Sequence, residues 1–314
     1  MSCPAGYAHD VSTCATAARE LHEPLAATAA TARTWLLVEQ PGPWGAKALT
    51  SSHLDRAVGR RLETSADGTG TRVALVRRPG RHADVHRPDR HEVIVAHTVP
   101  GRAWVRRATV ADPEQLTSLD LAALGRGDHG GFGREHRGDP LALVCTNGKR
   151  DRCCALLGRP LAAELAAMGG AEVWEITHIG GHRFAPTMLA LPHGYAYGRL
   201  SAHAAKDVLL ATREGRVVLE RCRGRSAWDR PGQAAELVVR ERTGEDRADT
   251  LAVEETAAED GRWTVAVRHE DGRRWSVVVE QRAQEPPRPE SCGKAPGRPG
   301  RMVVRSVAEG RSSP

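Results

Sequence analysis

Leu141-Ala142-Leu143-Val144-Cys145, then a polar loop to Arg152, then Cys153-Cys154-Ala155-Leu156-Leu157, and further on Val173-Trp174-Glu175-Ile176-Thr177-His178-Ile179-Gly180-Gly181-His182, is the stretch whose reading decides the fold. An apolar run of this length, bounded by polar turn residues, reads as a buried strand. Residues 154–168 then read as a helix, with Leu156, Leu157, Leu161, Leu165 and Met168 on or near one face and Gly169-Gly170 closing it. Val173 to Ile176 is the next strand and leads to His178. Thr187 to Leu191 and Tyr195 to Leu200 form a hairpin around Pro192-His193-Gly194, and Ser201 caps a further helix through Ala204 and Val208.

Working outward, Cys145, Cys154, His178 and His182 form a four-donor set with Cys-x8-Cys and His-x3-His spacing on one expected sheet edge. Thiolate plus imidazole suits zinc or an iron–sulfur cluster and suits magnesium or calcium poorly. Cys145 ends a strand and Cys154 starts a helix, where free amide groups lower a thiol pKa. Lys149, Arg150 and Arg152 act in the same direction. Cys153 is the competing donor. Neighbours on a helix point about 100° apart, so Cys153 and Cys154 do not easily face one centre. Gly180 and Gly181 let the backbone bend closely around a bulky group. Spacing alone leaves zinc and a 2Fe–2S cluster level.

The β-α-β-β-β-α order is close to a thioredoxin-like layout, with its second helix shortened or missing around the His-Ile-Gly-Gly-His run. Five segments are expected along the chain: a weakly structured lead-in over 1–25, an N-terminal α/β domain over 26–125, the thioredoxin-like domain over 138–215, a helix plus β-meander over 216–282, and an irregular tail over 283–314. Within the N-terminal domain, Thr34 to Glu39 reads as a strand. A helix with Leu54, Val58 and Leu62 on one face follows, capped by Ser51 or Ser52, then three strands and a helix begun by Asp112-Pro113-Glu114. The meander is read from the alternation of Leu251-x-Val253, Trp263-x-Val265-x-Val267 and Trp275-x-Val277-x-Val279 around short turns. The fold class is therefore α/β throughout, with a small β appendage.

A chain of 314 residues has room for more than one domain. Its net charge of +6 does not point to nucleic acid. The basic residues are nearly all Arg and are interspersed with acidic ones, with no basic stripe studded by aromatics. No run of about 18 apolar residues predicts a membrane span, and Met1 to Asp10 lacks the apolar core of a signal peptide. Seven cysteines, an odd number, suit a reducing, cytoplasmic setting. Cys3, Cys14 and Cys222 read as incidental, and Cys292 as a loop thiol. His53, His82, His86 and His91, in loop-like sequence beside Arg and Asp, read as solvent-facing.

Val144 to Cys154 and Trp174 to Ala185, with Glu39-Gln40-Pro41-Gly42-Pro43-Trp44-Gly45, Arg223-Gly224-Arg225-Ser226 and Gln233-Ala234-Ala235-Glu236, resemble the sucrase/ferredoxin-like family over roughly residues 25 to 240. The resemblance implies a thioredoxin-like ferredoxin domain with a 2Fe–2S cluster held by Cys145, Cys154, His178 and His182, and Cys153 as a neighbour that is not a ligand. At Asn147 the family more often carries His. Arg150, Asp151, Gly180, Gly181 and Arg183 are the expected surround, orienting donors or screening the cluster.

An oxidised 2Fe–2S core carries two positive formal charges, so two thiolates and two neutral imidazoles leave it neutral and easy to reduce. Rieske centres, which also use two His, reach about −150 to +300 mV against about −400 mV for plant-type ferredoxins. The expected function is one-electron transfer, coupled to protonation of His178 or His182, with an unnamed redox partner protein. The rivals are a zinc-stabilised thioredoxin-like binding module and a thiol oxidoreductase using Cys153 and Cys154. Glycoside hydrolysis needs paired carboxylates, and no acidic pair stands out. An electron carrier is expected rather than a hydrolase, with no sucrase activity. No phosphate-binding loop is present, so a nucleotide or flavin would sit on a partner.

Overall fold

The computed structural model describes residues 13–80 and 89–310. Cys3, His82, His86 and the Met1 to Asp10 segment lie outside the described residues. The lead-in is not irregular where described. Thr13 accepts a hydrogen bond from the Thr16 N–H and caps α1 (Cys14–Glu20), whose Cys14, Ala15 and Ala18 are buried. A helix whose buried face is made of such small side chains carries little apolar periodicity, which is why the sequence reading passed over it.

From there the chain builds β1 (Thr34–Glu39), α2 (Ala48–Ser51), α3 (Arg56–Ala66), β2 (Thr71–Arg77), β3 (His91–His97), β4 (Trp104–Val110), α4 (Leu121–Arg126) and β5 (Arg134–Glu135). It continues through β6 (Leu141–Cys145), α5 (Arg152–Met168), β7 (Glu172–Ile176), β8 (Thr187–Leu191), β9 (Tyr195–Gly198), α6 (Ala202–Arg213) and β10 (Cys222–Arg225). The cap of α3 is Asp55, which accepts from Ala57 N and Val58 N, rather than Ser51 or Ser52.

All ten strands join one sheet of order β10-β9-β8-β6-β7-β2-β1-β3-β4-β5. The two segments expected as separate α/β domains thus share a continuous sheet. Each half runs the same way. In the first, β1 pairs parallel with β2 and antiparallel with β3, which pairs antiparallel with β4. In the second, β6 pairs parallel with β7 and antiparallel with β8, which pairs antiparallel with β9. The halves meet where β2 and β7 pair antiparallel at Val76↔Ile176 and Arg77↔Glu175. A buried Arg77–Glu175 ion pair of 2.7 Å marks that joint, and the Thr146 hydroxyl donates to the same carboxylate. The central strands β1 and β6 are buried on both faces, which accounts for their continuous apolar reading.

α7 (Arg230–Thr243) follows, capped by Asp229, and lies against a second sheet of β11 (Leu251–Glu259), β12 (Arg262–His269), β13 (Arg274–Ala283) and β14 (Gly300–Gly310). Ala234, Ala235 and Val239 of α7 share a buried cluster with Val265, Val267, Trp275, Val277 and Val279. The meander therefore has a fourth strand drawn from the segment read as an irregular tail. A bulge between Val278 and Val279 shifts the β13–β14 register and breaks the period-two alternation that would have revealed it. Arg240 of α7 donates to Glu236 and to the Tyr195 hydroxyl of β9, a buried polar tie between α7 and the large sheet. No helix among the described residues is long and apolar enough to cross a membrane.

Candidate metal centre

Cys145 is the last residue of β6 and is buried. Its carbonyl is approached so closely by α5 that a Cβ at Gly158 would lie 2.1 Å from it, so glycine is what lets this helix dock on the strand end. Asp151 caps α5 and places Cys153 and Cys154 in its first turn. The two cysteines then diverge. Cys154 joins the core cluster that contains Cys145 and Ile179, whereas Cys153 joins a separate cluster with Cys14 and Ala185. A thiol couple made of Cys153 and Cys154 finds no support in that geometry.

Beyond β7, the His178 carbonyl accepts from Arg72 Nη2 at 3.0 Å. Gly180 and Gly181 then take left-handed backbone conformations, φ +79° and +70°, and turn the chain into a short 3-10 turn over His182–Phe184. A side chain at Gly181 would meet the buried Arg223 guanidinium at 2.2 Å. Arg223 in turn donates to the Gly180 carbonyl at 3.1 Å and to Thr28. The bend that returns His182 toward His178 is thus held from behind by an arginine the sequence reading did not single out as a site residue.

Donor atoms of Cys145, Cys154 and His178 lie within 4.8 Å of one another. His182 is outside that tight group, but its ring centroid is 4.9 Å from that of His178. The Nδ1 atoms of both imidazoles are buried and have no hydrogen-bond partner among the described residues. Left without a ligand, such atoms cost free energy, and a metal is a ready acceptor of their lone pairs. Cys154 donates to Cys145, and with His178 and the Ile179 N–H this holds Cys145 well below the ordinary thiol range against the cost of burial. Cys154 is pushed up by the same contact. The sulfurs thus share a proton that a metal ion would displace.

Among the expected surrounding residues, Asp151 is the most connected. Its carboxylate accepts from the Cys153 N–H, the Cys292 N–H and the Ser291 hydroxyl, and lies 3.8 Å from His182 Nε2. Arg183 pairs with the buried Glu23 at 2.8 Å and with Glu290 at 3.2 Å, fixing the 3-10 turn to the N-terminal and C-terminal segments. Arg150 is exposed, and its backbone N–H closes the turn onto Asn147. The buried guanidinium of Arg223, its pKa pulled down to about 10 by burial and by Arg183, adds positive charge behind the thiols, as does Arg72.

By sequence Cys14 reads as incidental and Cys292 as a loop thiol. Cys14 and Cys292 converge on Cys153 and Asp151. Their pairing spans most of the chain, so no local spacing could have shown it. His91, expected in solvent, is buried and pairs with the Glu39 carbonyl.

A family model described as sucrase/ferredoxin-like matches residues 25–224. No curated protein and no solved structure matches the chain.

Proposed function

The chain belongs to the sucrase/ferredoxin-like family, and on that premise we propose that Cys145, Cys154, His178 and His182 hold a 2Fe–2S cluster serving one-electron transfer with a partner protein. The observation that carries this reading is the meeting of two buried thiols with two imidazoles whose Nδ1 atoms have no hydrogen-bond partner among the described residues. That donor set fits a group taking soft and borderline ligands. Bound there, the cluster would supply a site that gains and loses a single electron. We read both half-sheets, with their matching strand order, as thioredoxin-like, and the second as the ferredoxin half.

The chain's own residues have distinct parts. Cys145 and Cys154 act as thiolates, and Ile179, on the core side, keeps water from the sulfurs. His178 and His182 are the least buried of the four and offer the route by which an electron leaves. Arg72 and Arg223 favour a negative charge gained on reduction. The His182 Nε2 atom faces the Asp151 carboxylate, so a proton held at that atom accompanies the electron. A reducing, cytoplasmic setting suits the free cysteines.

Anaerobically purified protein is expected to contain iron and acid-labile sulfide in equal amounts and to take up one electron per chain. Iron without sulfide, or neither, removes the cluster from the account. Protein-film voltammetry from about pH 6 to 10 is expected to show the potential falling as pH rises, the mark of proton uptake with the electron. A flat response rejects the proton coupling while leaving the cluster in place. A zinc reading has one observation in its favour: three donors within 4.8 Å suit a single tetrahedral ion. Zinc in place of iron in the same preparation would establish it.

A further inference from the structure

Beside the centre, three sulfurs form a nearly equilateral triangle. Cys14 and Cys153 Sγ are 3.6 Å apart, Cys153 and Cys292 are 3.3 Å, and Cys292 and Cys14 are 3.6 Å. The Asp151 carboxylate stands over the same triangle, its oxygens 3.8 and 3.7 Å from Cys14 Sγ. Cys14, Cys153 and Asp151 are buried, and Cys292 is half-buried. These residues come from three separate parts of the chain: the first residue of α1, the cap and first turn of α5, and the connection between β13 and β14. Burial of hydrophobic surface does not explain why three thiols and a carboxylate should be gathered there.

We propose that Cys14, Cys153, Cys292 and Asp151 form a second metal site that binds one zinc ion and fastens α1 and the β13–β14 connection to the helix that carries Cys154. Thiolates about 2.3 Å from a tetrahedral zinc stand roughly 3.8 Å from one another, and a carboxylate oxygen at about 2.0 Å stands roughly 3.5 Å from each sulfur. The observed edges are close to those values. They are too short for thiolates on different irons of a cluster and too long for a disulfide, whose sulfurs lie about 2.05 Å apart. A disulfide between any two of the three would also leave the third sulfur without a role.

The carboxylate is already aimed. Its Oδ2 accepts from the Cys292 N–H and the Ser291 hydroxyl and faces His182, whereas Oδ1 accepts from one N–H, that of Cys153, and keeps a lone pair for the ion. Three thiolates and a carboxylate around a divalent ion carry a net negative charge. Lys149, Arg150, Arg152 and Lys294 line the open cleft on its outer side and offset that charge. The cleft also gives the ion a way in, and binding releases the thiol protons to solvent through it.

The inference does not depend on what the first centre binds, and metal analysis separates the two. Zinc and iron are measured in purified full-length protein and in the Cys292→Ser, Cys14→Ser and Cys145→Ser variants. About one zinc per chain is expected to persist in Cys145→Ser and to be lost from Cys292→Ser and Cys14→Ser. Zinc that is absent from the unaltered protein, or a Cys292→Ser variant that holds as much zinc as the unaltered protein, overturns the proposal. So does a disulfide between any two of these cysteines in freshly purified protein. A second measurement needs no variant: iodoacetamide should label Cys292 only after a zinc chelator is added. Equal labelling before and after contradicts the site, whatever becomes of iron at the first centre.

Discussion

The two halves of the large sheet run the same strand order, β2-β1-β3-β4 and β7-β6-β8-β9, yet among the described residues only the second brings a cluster of metal donors to its strand end. At corresponding points β1 ends in Glu39 and β6 in Cys145, while α3 is capped by Asp55 and α5 by Asp151. In the first half that edge is an open cleft of about 510 Å³ lined by Gln40, His53, Leu54 and Val58. In the second it is closed by thiols and imidazoles. Because β2 and β7 pair antiparallel through their last residues, the two strand ends leave the joint in opposite directions. The scaffold thus supplies a strand end facing a helix start, and the side chains placed there decide whether the meeting point is a cleft or a metal centre.

The largest effect that would sharpen this contrast comes from Cys145→Ser. It is expected to remove the metal of the first centre entirely, read by elemental analysis. Gln40→Ala, beside the corresponding strand end of the first half, should leave metal content unchanged. Iron that survives Cys145→Ser would break the contrast.

The helix contacts offer a second comparison. A Cβ at Gly59 would lie 1.8 Å from the Leu49 carbonyl oxygen, and one at Gly158 would lie 2.1 Å from that of Cys145. Gly59→Ala and Gly158→Ala should each cost about 1–3 kcal/mol in urea unfolding. Only Gly158→Ala should also alter the spectrum of the centre.

The histidines differ in the same way. His97 of the first half is buried, bonds Thr34 Oγ1 at 2.8 Å, and has its pKa pushed down to about 4 by burial and by Arg102, Arg33 and Arg225. Its folded pKa is below the unfolded value, so folding favours the neutral ring. That contribution is complete above about pH 6.5 and is lost as pH falls toward 4, by roughly 1.4 kcal/mol per pH unit. His97→Gln should flatten the decline of stability over that window in acid denaturation. An unchanged slope would count against the assignment.

The smallest effect is Arg72→Gln. Removing this guanidinium near the thiols is expected to lower the midpoint potential of the centre by on the order of tens of millivolts. A rise, or no shift, would contradict the electrostatic role given to it.

Much of the second half was legible because its signals are local. An apolar strand, a Gly-closed helix and two glycines before His182 each leave a mark within a few residues. What escaped was long-range or small. The β2–β7 joint rests on two register pairs and a buried ion pair, with no periodicity to announce it. The gathering of Cys14, Cys153 and Cys292 joins opposite ends of the sequence. Asp151 was expected near the first centre, but its four contacts in two directions emerge only once α5 is placed against the C-terminal segment. Leu156 shows the limit of periodicity in the other sense, since it sits at a helical spacing yet is 60% exposed.

The most direct test of the central claim is the visible and electron paramagnetic resonance spectrum of anaerobically purified protein before and after reduction. The account predicts a brown protein that is silent when oxidised and shows one unpaired electron per chain when reduced, with both features absent from Cys145→Ser. A colourless protein carrying zinc at Cys145, Cys154 and His178 would contradict it.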